Sequence, residues 1–251
     1  DIESIFFPIN LFDILEVVQS KTKDHKIKIN YYNIYQTITN DLCEKAYNLL
    51  DADFNLPPIN VYLYKNIPIG AGLGGGSSNA VSMLKILNTL FKLNLTNEQL
   101  LFYCKKLGSD CPFFLTNKPS FVSGLGDVVN TDVSISLSKY KILLISPSKF
   151  ISTQKVFSNI KKKKFLINQN QKNPNFFEKI LNDKHIDSWR KKLNNDLEST
   201  TISLIPELKK IKEKLYKMGA VYASMTGSGS SIYGLFLKQN IINSEWDEGY
   251  N

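Results

Sequence analysis

The sequence predicts an α+β protein of two domains, and three features of the chain support that prediction. Strand-like stretches of β-branched residues occur together with amphipathic helical stretches in both halves. A glycine-rich stretch joins a strand to a helix, and a further helix follows the first without a strand between them. A polar region rich in Lys and Asn, residues 148–175, then separates the halves. We therefore expect a boundary near Pro147, which gives domains 1–147 and 148–251.

The first half is predicted to contain strands around a group of helices. Alternating or β-branched residues indicate strands of an antiparallel layer at 5–18 and 26–32. The sequence TNEQ, from Thr96, is a capping box that begins a helix running to about Leu107. By the same periodicity criteria the other expected elements are helices at 40–50 and 77–91, and strands at 59–64, 121–129 and 141–146.

The second half is predicted to combine one long helix with two short strands. The helix covers 206–218, with Pro206 in the first turn, where its missing N–H has no intrahelical partner to lose. The strands VYASM and SIYGLFL are joined by TGSGS, a second glycine-rich loop. Residues 148–175 are expected to be the least ordered connection.

The composition indicates an ordinary globular protein. The chain has 251 residues, of which 43% are hydrophobic, so it can bury one large core or two modest ones. Membrane association is not indicated, because a spanning helix needs about 18 or more consecutive apolar residues and none occur. The start, DIESIFFPI, lacks the basic flank and the cleavage site of a signal peptide. We therefore expect a cytoplasmic protein.

Cysteine and histidine are too few, and too far apart, for the common metal sites and catalytic triads. The three cysteines are Cys43, Cys104 and Cys111, with no C-x-x-C spacing, so we expect reduced and mostly buried thiols. The two histidines are His25 and His185, which argues against a histidine-based metal site or a Ser-His-Asp triad.

The net charge of +8 does not by itself indicate nucleic acid binding. The excess is spread along a chain rich in Lys, Asn and Ile, and the one cluster is Lys161–Lys164. That cluster is interpreted as a solvated loop, with an electrostatic patch as the alternative. A basic surface also suits an anionic small substrate.

The stretch PIGAGLGGGSSNA, from Pro68 to Ala80, is predicted to bind an anion. It lies between a strand and a helix, where glycines expose backbone N–H groups and the helix N-terminus adds partial positive charge. Phosphate is the commonest ligand of such a loop. The alternative is a flexible turn that only lets the helix pack closely.

Three well-known phosphate loops do not fit this stretch. Gly70, Gly72 and Gly75 satisfy G-x-G-x-x-G, but a helix follows where the dinucleotide fold needs a second strand ending in an acidic residue. A P-loop requires G-K-[ST], and this loop has no lysine. A protein kinase requires H-R-D and D-F-G downstream, and neither occurs.

The motif P-x-G-A-G-L-G-G-G-S-S-N-A resembles the phosphate-binding motif of the galactokinase, homoserine kinase, mevalonate kinase and phosphomevalonate kinase (GHMP) superfamily. Together with LGSDCPFF, FNLPP, KNIP and GAVYASMTGSGSS, it is most similar to the 4-diphosphocytidyl-2-C-methyl-D-erythritol kinase branch. The resemblance runs from Phe6 to about Phe236. It implies an N-terminal ribosomal-protein-S5-like domain, a C-terminal ferredoxin-like domain, and an active cleft between them.

The resemblance also implies the reaction and its small molecules. The family transfers the γ-phosphate of ATP, with magnesium, to the 2-hydroxyl of 4-diphosphocytidyl-2-C-methyl-D-erythritol in the non-mevalonate isoprenoid pathway. Residues matching the ATP site are Lys65, Pro68, Ile69, Gly70, Ala71, Gly72, Leu73, Gly74, Gly75, Gly76, Ser77, Ser78 and Asp41. Residues matching the substrate site are Phe157, Thr153, Phe6, Gly227, Ser228 and Gly229. Ser77 is the magnesium candidate.

Asp110 in GSDCPFF matches the catalytic aspartate of the family, which accepts or orients the proton of the attacking alcohol. Without the resemblance it would be interpreted as a helix cap or turn residue. Lys65 matches a position near the adenosine, and the alternative is a solvent-facing lysine. Asp41 replaces the usual Asn, and a carboxylate cannot donate to adenine as an amide can.

Two of the substrate-site assignments also have simpler alternatives. Phe157 matches an aromatic residue that stacks on cytosine, and Thr153 a nearby polar contact, although a lone Phe on a helix is usually a core residue. The loop 226–231 matches a motif that closes over the diphosphate, and the alternative is a tight hairpin turn.

Relatives begin with a strand carrying P-x-K-I-N-L and a D-G-Y-H turn, and this sequence starts at Asp1, just beyond that histidine's place. A fragment and a natural truncation are both compatible with that start. Two other functions stay open: another kinase of the superfamily, or a nucleotide-binding protein without turnover. The sequence gives no oligomeric state.

Overall fold

The computed structural model describes residues 1–22, 24–34, 38–133, 135–149, 151–160, 186–241 and 246. It divides into two compact units. The first unit comprises Asp1–Ile67 and Gly74–Val133, and the second comprises Pro68–Leu73 and Ser134–Asn251. Each unit has its own hydrophobic core.

The first unit contains six strands and four helices among its described residues. In chain order they are β1 (Ile2–Phe6), β2 (Ile14–Gln19), β3 (Ile27–Tyr32), α1 (Leu42–Phe54), β4 (Ile59–Tyr64), α2 (Gly75–Leu90), α3 (Asn97–Leu107), α4 (Cys111–Thr116), β5 (Ser120–Gly124) and β6 (Val128–Asn130). The strands form two three-stranded sheets, ordered β1-β5-β6 and β2-β4-β3.

The sheet β2-β4-β3 is mixed, which corrects the predicted antiparallel layer. β2 runs antiparallel to β4, with Val17 opposite Val61, whereas β3 runs parallel to β4, with Ile29 opposite the same residue. The cause is α1, which lies between β3 and β4 in the chain and carries it back to the same end of the sheet. The phosphate-loop candidate therefore begins at the carboxyl end of a central strand.

One face of this sheet packs against the helices and forms the first core. Ile59, Val61 and Leu63 of β4 are at most 1% exposed and alternate with more exposed neighbours, as a half-buried strand requires. They pack in one cluster with side chains of α1, α2 and α3, among them Leu50 and Leu84. This packing fixes the start of α2 relative to the end of β4.

Two predicted strands are each divided in two. The stretch 5–18 contains the end of β1 and most of β2, which belong to different sheets, and the intervening residues include Pro8, which has no N–H to donate to a ladder. The stretch 121–129 is the hairpin β5–β6, whose turn has Gly124 and Gly126 at φ 69° and 104°. Neither break was predicted, because apolar residues continue through both: Phe7, Ile9, Leu11 and Phe12 between β1 and β2, and Leu125 between β5 and β6.

The second unit contains a three-stranded antiparallel sheet and several helices. Its elements are β7 (Tyr140–Ile145), α5 (Thr153–Asn159), a 3-10 turn (Ile186–Ser188), α6 (Trp189–Lys192), α7 (Glu198–Leu204), α8 (Glu207–Lys217), β8 (Tyr222–Met225) and β9 (Ile232–Leu237). The strand order is β7-β9-β8. Leu208, Ile211 and Leu215 form the buried stripe of α8 and pack in one cluster with Ile232 and Phe236 of β9.

The structure divides the chain earlier than the expected boundary near Pro147. The second unit begins at 134, apart from residues 68–73. The physical reason is β7, which pairs along its whole length with β9, so that Leu143 lies opposite Gly234. The predicted strand at 141–146 is therefore present but belongs with the second half.

Most other predicted elements are confirmed. α1, β4, α3 and α8 lie within a few residues of their predicted bounds, and the capping box of Thr96 and Gln99 is present at α3. α2 begins at Gly75, two residues before its predicted start. The cysteines are free and buried, as expected. The described part of the chain contains no helix long and apolar enough to cross a membrane.

Two predictions lie wholly or partly outside the described residues. Lys161–Lys164 and the rest of 161–175 are not described. The described remainder of the expected connection contains the helix α5.

Candidate active site

The glycine-rich loop joins β4 to α2, and its backbone is built for glycine. Gly70, Gly72 and Gly74 have φ of 65°, 75° and 66°, the left-handed region in which a side chain is strained. Gly74 is the N-cap of α2 and offers no capping side chain, while the Ser78 N–H bonds the Gly74 carbonyl at 2.9 Å. The N–H groups before Ser78 lie in the first turn, where an α-helix supplies no partner of its own. An anion can accept hydrogen bonds from these N–H groups.

Close packing explains some of these glycines but not all. A Cβ on Gly74 would lie 2.7 Å from the Phe114 ring, and one on Gly75 would lie 2.8 Å from Cγ2 of Ile67. A Cβ on Gly76 would meet only the Leu42 side chain, at an ordinary 3.7 Å. The interpretation as a turn that only permits close packing therefore leaves Gly76 unexplained.

The first half of the loop packs on the second glycine loop, and both lie in the second unit. The Ser231 N–H donates to the Ala71 carbonyl at 3.1 Å, and the Thr226 hydroxyl donates to the Gly72 carbonyl at 2.8 Å. A Cβ on Gly72 would clash with the Thr226 carbonyl oxygen. The structure thus brings two sequence-predicted motifs together, although more than 150 residues separate Gly72 from Thr226.

The second loop is a six-residue hairpin connection between β8 and β9, since Met225 and Ile232 pair directly on either side of it. The alternative, a hairpin turn, is therefore part of the arrangement, with a turn closed by the Gly229 N–H donating to the Thr226 carbonyl at 3.0 Å. The assignment of the loop to the substrate stays a prediction. Gly227 and Gly229 have φ of 53° and 91°. Thr153 and Ser228 share a hydroxyl hydrogen bond of 2.8 Å, which brings together two of the predicted substrate residues.

Asn195 holds the same loop from outside it, and sequence reasoning missed this residue. Its Nδ2 donates to the carbonyls of Met225 and Gly227, at 2.9 and 2.8 Å. The signal available was the polar run NND between two helical stretches. Thr201 adds a bond from its hydroxyl to the Ser228 carbonyl at 3.2 Å.

Asp110 stands at the N-cap position of α4, yet its side chain makes no capping hydrogen bond. Of the alternative interpretation, a helix cap or turn, the turn is present and the side-chain cap is not. Ser109 Oγ donates to its Oδ1 at 3.5 Å, which is a long contact. Burial raises the pKa of the Asp110 carboxyl above its ordinary value, and the Ser109 bond opposes this. A carboxyl whose oxygen accepts one long hydrogen bond from the protein is available to accept a hydrogen bond or a proton from a ligand.

The serine end of the loop lies beside α4. Burial raises the pKa of the Cys111 thiol to about 11, and a hydrogen bond with the Ser77 side chain opposes that shift. Cys111 directly follows Asp110 in the chain. The first turn of α2 therefore lies beside α4, the helix that Asp110 begins, and a Cβ on Gly74 would meet the Phe114 ring of that helix at 2.7 Å.

Lys65 is not the solvent-facing lysine of the alternative interpretation, because it is only 7% exposed. Its ammonium pairs with Asp13, whose side chain is fully buried. Asn33 Nδ2 donates to the Lys65 carbonyl at 2.7 Å. Asp13 was missed by sequence reasoning, although a single acidic residue inside the apolar run LFDIL was a signal.

Asp41 is the N-cap of α1. Its Oδ1 accepts from the N–H groups of Cys43 at 2.6 Å and Glu44 at 3.4 Å, and its Oδ2 accepts from the Tyr31 hydroxyl at 3.0 Å. Both oxygens are thus engaged within the protein. Its assignment to the adenine site stays a prediction.

The two predicted aromatic residues lie in different environments. Phe157 is 48% exposed on α5, where Val156 is the buried residue, so the core interpretation of Phe157 is wrong. Phe6 packs edge-on against Phe113 of α4, with ring centroids 5.2 Å apart. Their assignments to the substrate stay predictions. Within the described ranges no group of three or more His, Cys, Asp or Glu could hold a metal ion.

Comparison with known families assigns both halves of the chain to one class of protein. The model "GHMP kinases N terminal domain" matches residues 41–118, which hold the glycine loop and Asp110, and the model "GHMP kinases C terminal" matches residues 176–248. Fold and loops thus define a GHMP kinase, which confirms the predicted fold class.

Similar proteins narrow this class. A 4-diphosphocytidyl-2-C-methyl-D-erythritol kinase of Bacteroides thetaiotaomicron is 42% identical over 253 residues, covering 100% of this chain and 88% of that protein. One of Azobacteroides pseudotrichonymphae is 44% identical, covering 95% and 85%. The chain belongs to the 4-diphosphocytidyl-2-C-methyl-D-erythritol kinase family. The resemblance inferred from the motifs is confirmed.

Solved structures with a similar fold include a kinase of the same name. A crystal structure of 4-(cytidine 5'-diphospho)-2C-methyl-D-erythritol kinase is 25% identical, with a TM-score of 0.69, and the match covers 93% of this chain and 80% of that one. A homoserine kinase from Cytophaga hutchinsonii matches at 17% identity with a TM-score of 0.67, covering 90% and 77%, which supports the fold alone.

Proposed function

We propose that the chain transfers the γ-phosphate of ATP to the 2-hydroxyl of 4-diphosphocytidyl-2-C-methyl-D-erythritol, a step of the non-mevalonate isoprenoid pathway. The observation that carries the proposal is the packing of Gly74, the N-cap of α2, against the Phe114 ring, which sets the first turn of α2 beside α4, the helix that Asp110 begins. Phosphoryl transfer needs phosphate-binding donors close to the group that handles the alcohol proton. Sequence identity of 42% and 44% to kinases of this name, over 100% and 95% of this chain, supports the substrate.

Asp110 is assigned the role of accepting the proton of the substrate hydroxyl. As the substrate oxygen bonds to the γ-phosphorus, the bond from phosphorus to the β-γ bridging oxygen breaks and ADP leaves. The hydroxyl proton passes to the Asp110 carboxylate and then to solvent. The raised pKa of this carboxyl makes its ionised form a better proton acceptor than an exposed aspartate.

The phosphates are assigned to the loop 68–78 through backbone N–H groups and the α2 N-terminus. Magnesium, when bound with ATP, would neutralise charge on the β- and γ-phosphates. The Ser77 hydroxyl fits this ion, because magnesium takes oxygen ligands and usually keeps waters and substrate phosphates as the rest of its shell. Ser78 is a second hydroxyl at the same helix start.

The substrate is assigned to residues of the second unit and to Phe6. The backbone N–H groups of Gly227 and Ser228 are assigned to the diphosphate, while the Gly229 N–H donates to the Thr226 carbonyl at 3.0 Å and holds the turn. The exposed ring of Phe157 offers a stacking surface for cytosine. The three free cysteines are compatible with the reducing cytoplasm, where we place the reaction.

The test is ADP release by the full-length gene product, coupled to a reporter enzyme. We expect turnover with the cytidylated methylerythritol and none with mevalonate, homoserine or galactose. Activity confined to an alcohol without cytidine would refute the substrate and favour another kinase of the superfamily. Nucleotide binding without transfer to any alcohol would refute catalysis. Asp51→Asn, whose carboxylate lies on α1 and pairs with Lys26 at 3.1 Å, is the control for variants of Asp110.

A further inference from the structure

A buried carboxylate joins the two ends of the phosphate-binding loop. The side chain of Asp13, in the segment between β1 and β2, is 0% exposed. Its Oδ1 accepts from the N–H groups of Asn66 at 2.7 Å and Ile67 at 2.8 Å. Its Oδ2 accepts from the Lys65 ammonium and, at 2.8 Å, from Asn79 Nδ2.

These four donors lie on both sides of the loop. Lys65, Asn66 and Ile67 immediately precede residues 68–78, and Asn79 immediately follows them. One carboxylate therefore fixes the separation between the end of β4 and the first turns of α2. All of these residues belong to the first unit.

The contacts reach the loop itself through Ile67 and Lys65. Ile67 Cγ2 abuts Gly75, where an added Cβ would lie only 2.8 Å away, and the Lys65 Nζ is 3.5 Å from the same point. Asp13 holds both residues, so it sets the surface on which the N-terminus of α2 rests. Lys65 also balances the negative charge of Asp13, which would otherwise repel a phosphate at that helix end.

We infer that Asp13 is a positioning residue of the nucleotide site, holding both ends of the loop so that its N–H groups are arranged for the phosphates before ATP binds. The inference rests on the proposed function, since it assigns the loop to ATP. Preorganisation of this kind lowers the ordering cost of binding, so its loss should weaken nucleotide affinity. Asp13 touches no reacting atom and acts through the loop.

A purely structural role makes a different prediction. If Asp13 only stabilised the fold, its replacement would lower the unfolding midpoint and the active fraction, which lowers kcat and leaves the KM for ATP unchanged. A positioning role raises the KM for ATP and the Kd of a nucleotide, while the KM for the alcohol stays unchanged.

The experiment compares Asp13→Asn, Asn79→Ala and the control Asp51→Asn in the full-length gene product. Titration calorimetry measures the Kd of the magnesium complex of AMP-PNP, steady-state kinetics measures both KM values, and circular dichroism measures folding. We expect Kd to rise about tenfold in Asp13→Asn and about threefold in Asn79→Ala, as preorganisation is lost. The control should match the wild type.

Asn79→Ala keeps the Lys65–Asp13 pair and places a better helix former in α2, so it decides the matter if Asp13→Asn does not fold. Folded variants with the wild-type Kd and a lowered unfolding midpoint would overturn the inference. A wild-type protein that binds AMP-PNP without phosphorylating the cytidylated alcohol would refute the proposed substrate and leave the inference standing. A wild-type protein that does not bind AMP-PNP would overturn both.

Discussion

Gly76 is the glycine of the loop that the protein's own packing does not require. It lies in the first turn of α2, it is not among the residues with positive φ, and the nearest atom to an added Cβ is 3.7 Å away. Glycine in a helix costs about 0.5–1 kcal/mol relative to alanine. A ligand approaching the backbone at this point is a physical reason to keep that cost.

Gly76→Ala should therefore raise stability and lower nucleotide affinity. We expect the free energy of unfolding to rise by about 0.5 kcal/mol. The affinity for AMP-PNP should fall about tenfold or more, because overpacking a tight contact costs about 1–3 kcal/mol. Urea unfolding and calorimetric titration measure the two quantities. An unchanged Kd would show that the ligand does not approach residue 76.

Gly72→Ala is the matched comparison at the same scale. Here φ is +75° and the added Cβ would clash with the Thr226 carbonyl, so the variant should lose stability as well as affinity. The left-handed conformation alone costs a non-glycine residue about 1–2 kcal/mol. Stability equal to the wild type in urea would contradict the described packing of the two glycine loops.

Asp110→Asn should separate activity from stability. Transfer should fall at least ~100-fold, since a general base contributes that much or more. The raised pKa means that the folded state disfavours the ionised carboxyl, so ionisation lowers stability as pH rises through the folded-state pKa. The amide removes that penalty at neutral pH.

Asp110→Asn should therefore melt at a higher temperature than the wild type near pH 7, and the two should converge below the ordinary pKa of aspartate, where both side chains are neutral. Thermal melts across this pH range measure the difference. A variant that is less stable than the wild type at pH 7 would refute the assignment of burial as the cause of the shift. Asp51→Asn should show neither effect.

At the scale of elements, α1 depends on Asp41 for its start. Asp41→Ala removes the acceptor of the Cys43 and Glu44 N–H groups and of the Tyr31 hydroxyl. We expect the free energy of unfolding to fall by about 1 kcal/mol, the usual value of an N-cap. Asn at this position can cap as well as Asp, so Asp41→Asn should retain stability in urea. Equal stability of all three proteins would refute the capping role.

Local patterns predicted most elements but not their pairing. The alternation of β4 and the capping box of α3 depend on a few neighbouring residues, and both were predictable. The parallel pairing of β3 with β4 depends on the return path through α1, which no pattern within β3 encodes. Asp13 was missed for the same reason, because its donors lie more than 50 residues away.

At the scale of the whole molecule, the sequence indicated two halves but could not assign β7. Its apolar residues suit either core, and only pairing with β9, about 90 residues later, assigns it to the second unit. The family motifs indicated the candidate site more directly than the fold boundary, because the two glycine loops and Asp110 are recognisable as short segments, and their roles stay predictions. Asn195 and Asp13 support those segments from distant positions and carry no motif of their own.

The two units carry different natural probes of unfolding. All three cysteines lie in the first unit, and burial is the main cause that raises their pKa, to about 12 for Cys104 and about 11 for Cys111. Both tryptophans of the chain, Trp189 and Trp246, lie in the second unit. Buried, protonated thiols do not react with disulfide reagents, so thiol release reports the first unit and tryptophan emission reports the second.

Because each unit has a separate core, we expect the two probes to give different midpoints in urea, as multidomain proteins commonly do. No thiol should react with dithionitrobenzoate at pH 8 in the absence of urea, and three should react once the first unit unfolds. Leu50→Ala, in the first core only, should lower the unfolding free energy of the first unit by about 2–5 kcal/mol. The urea midpoint of thiol release should fall accordingly, while the midpoint of tryptophan emission stays unchanged. Transitions that coincide in the wild type and shift together in this variant would show instead that the two cores unfold as one cooperative unit.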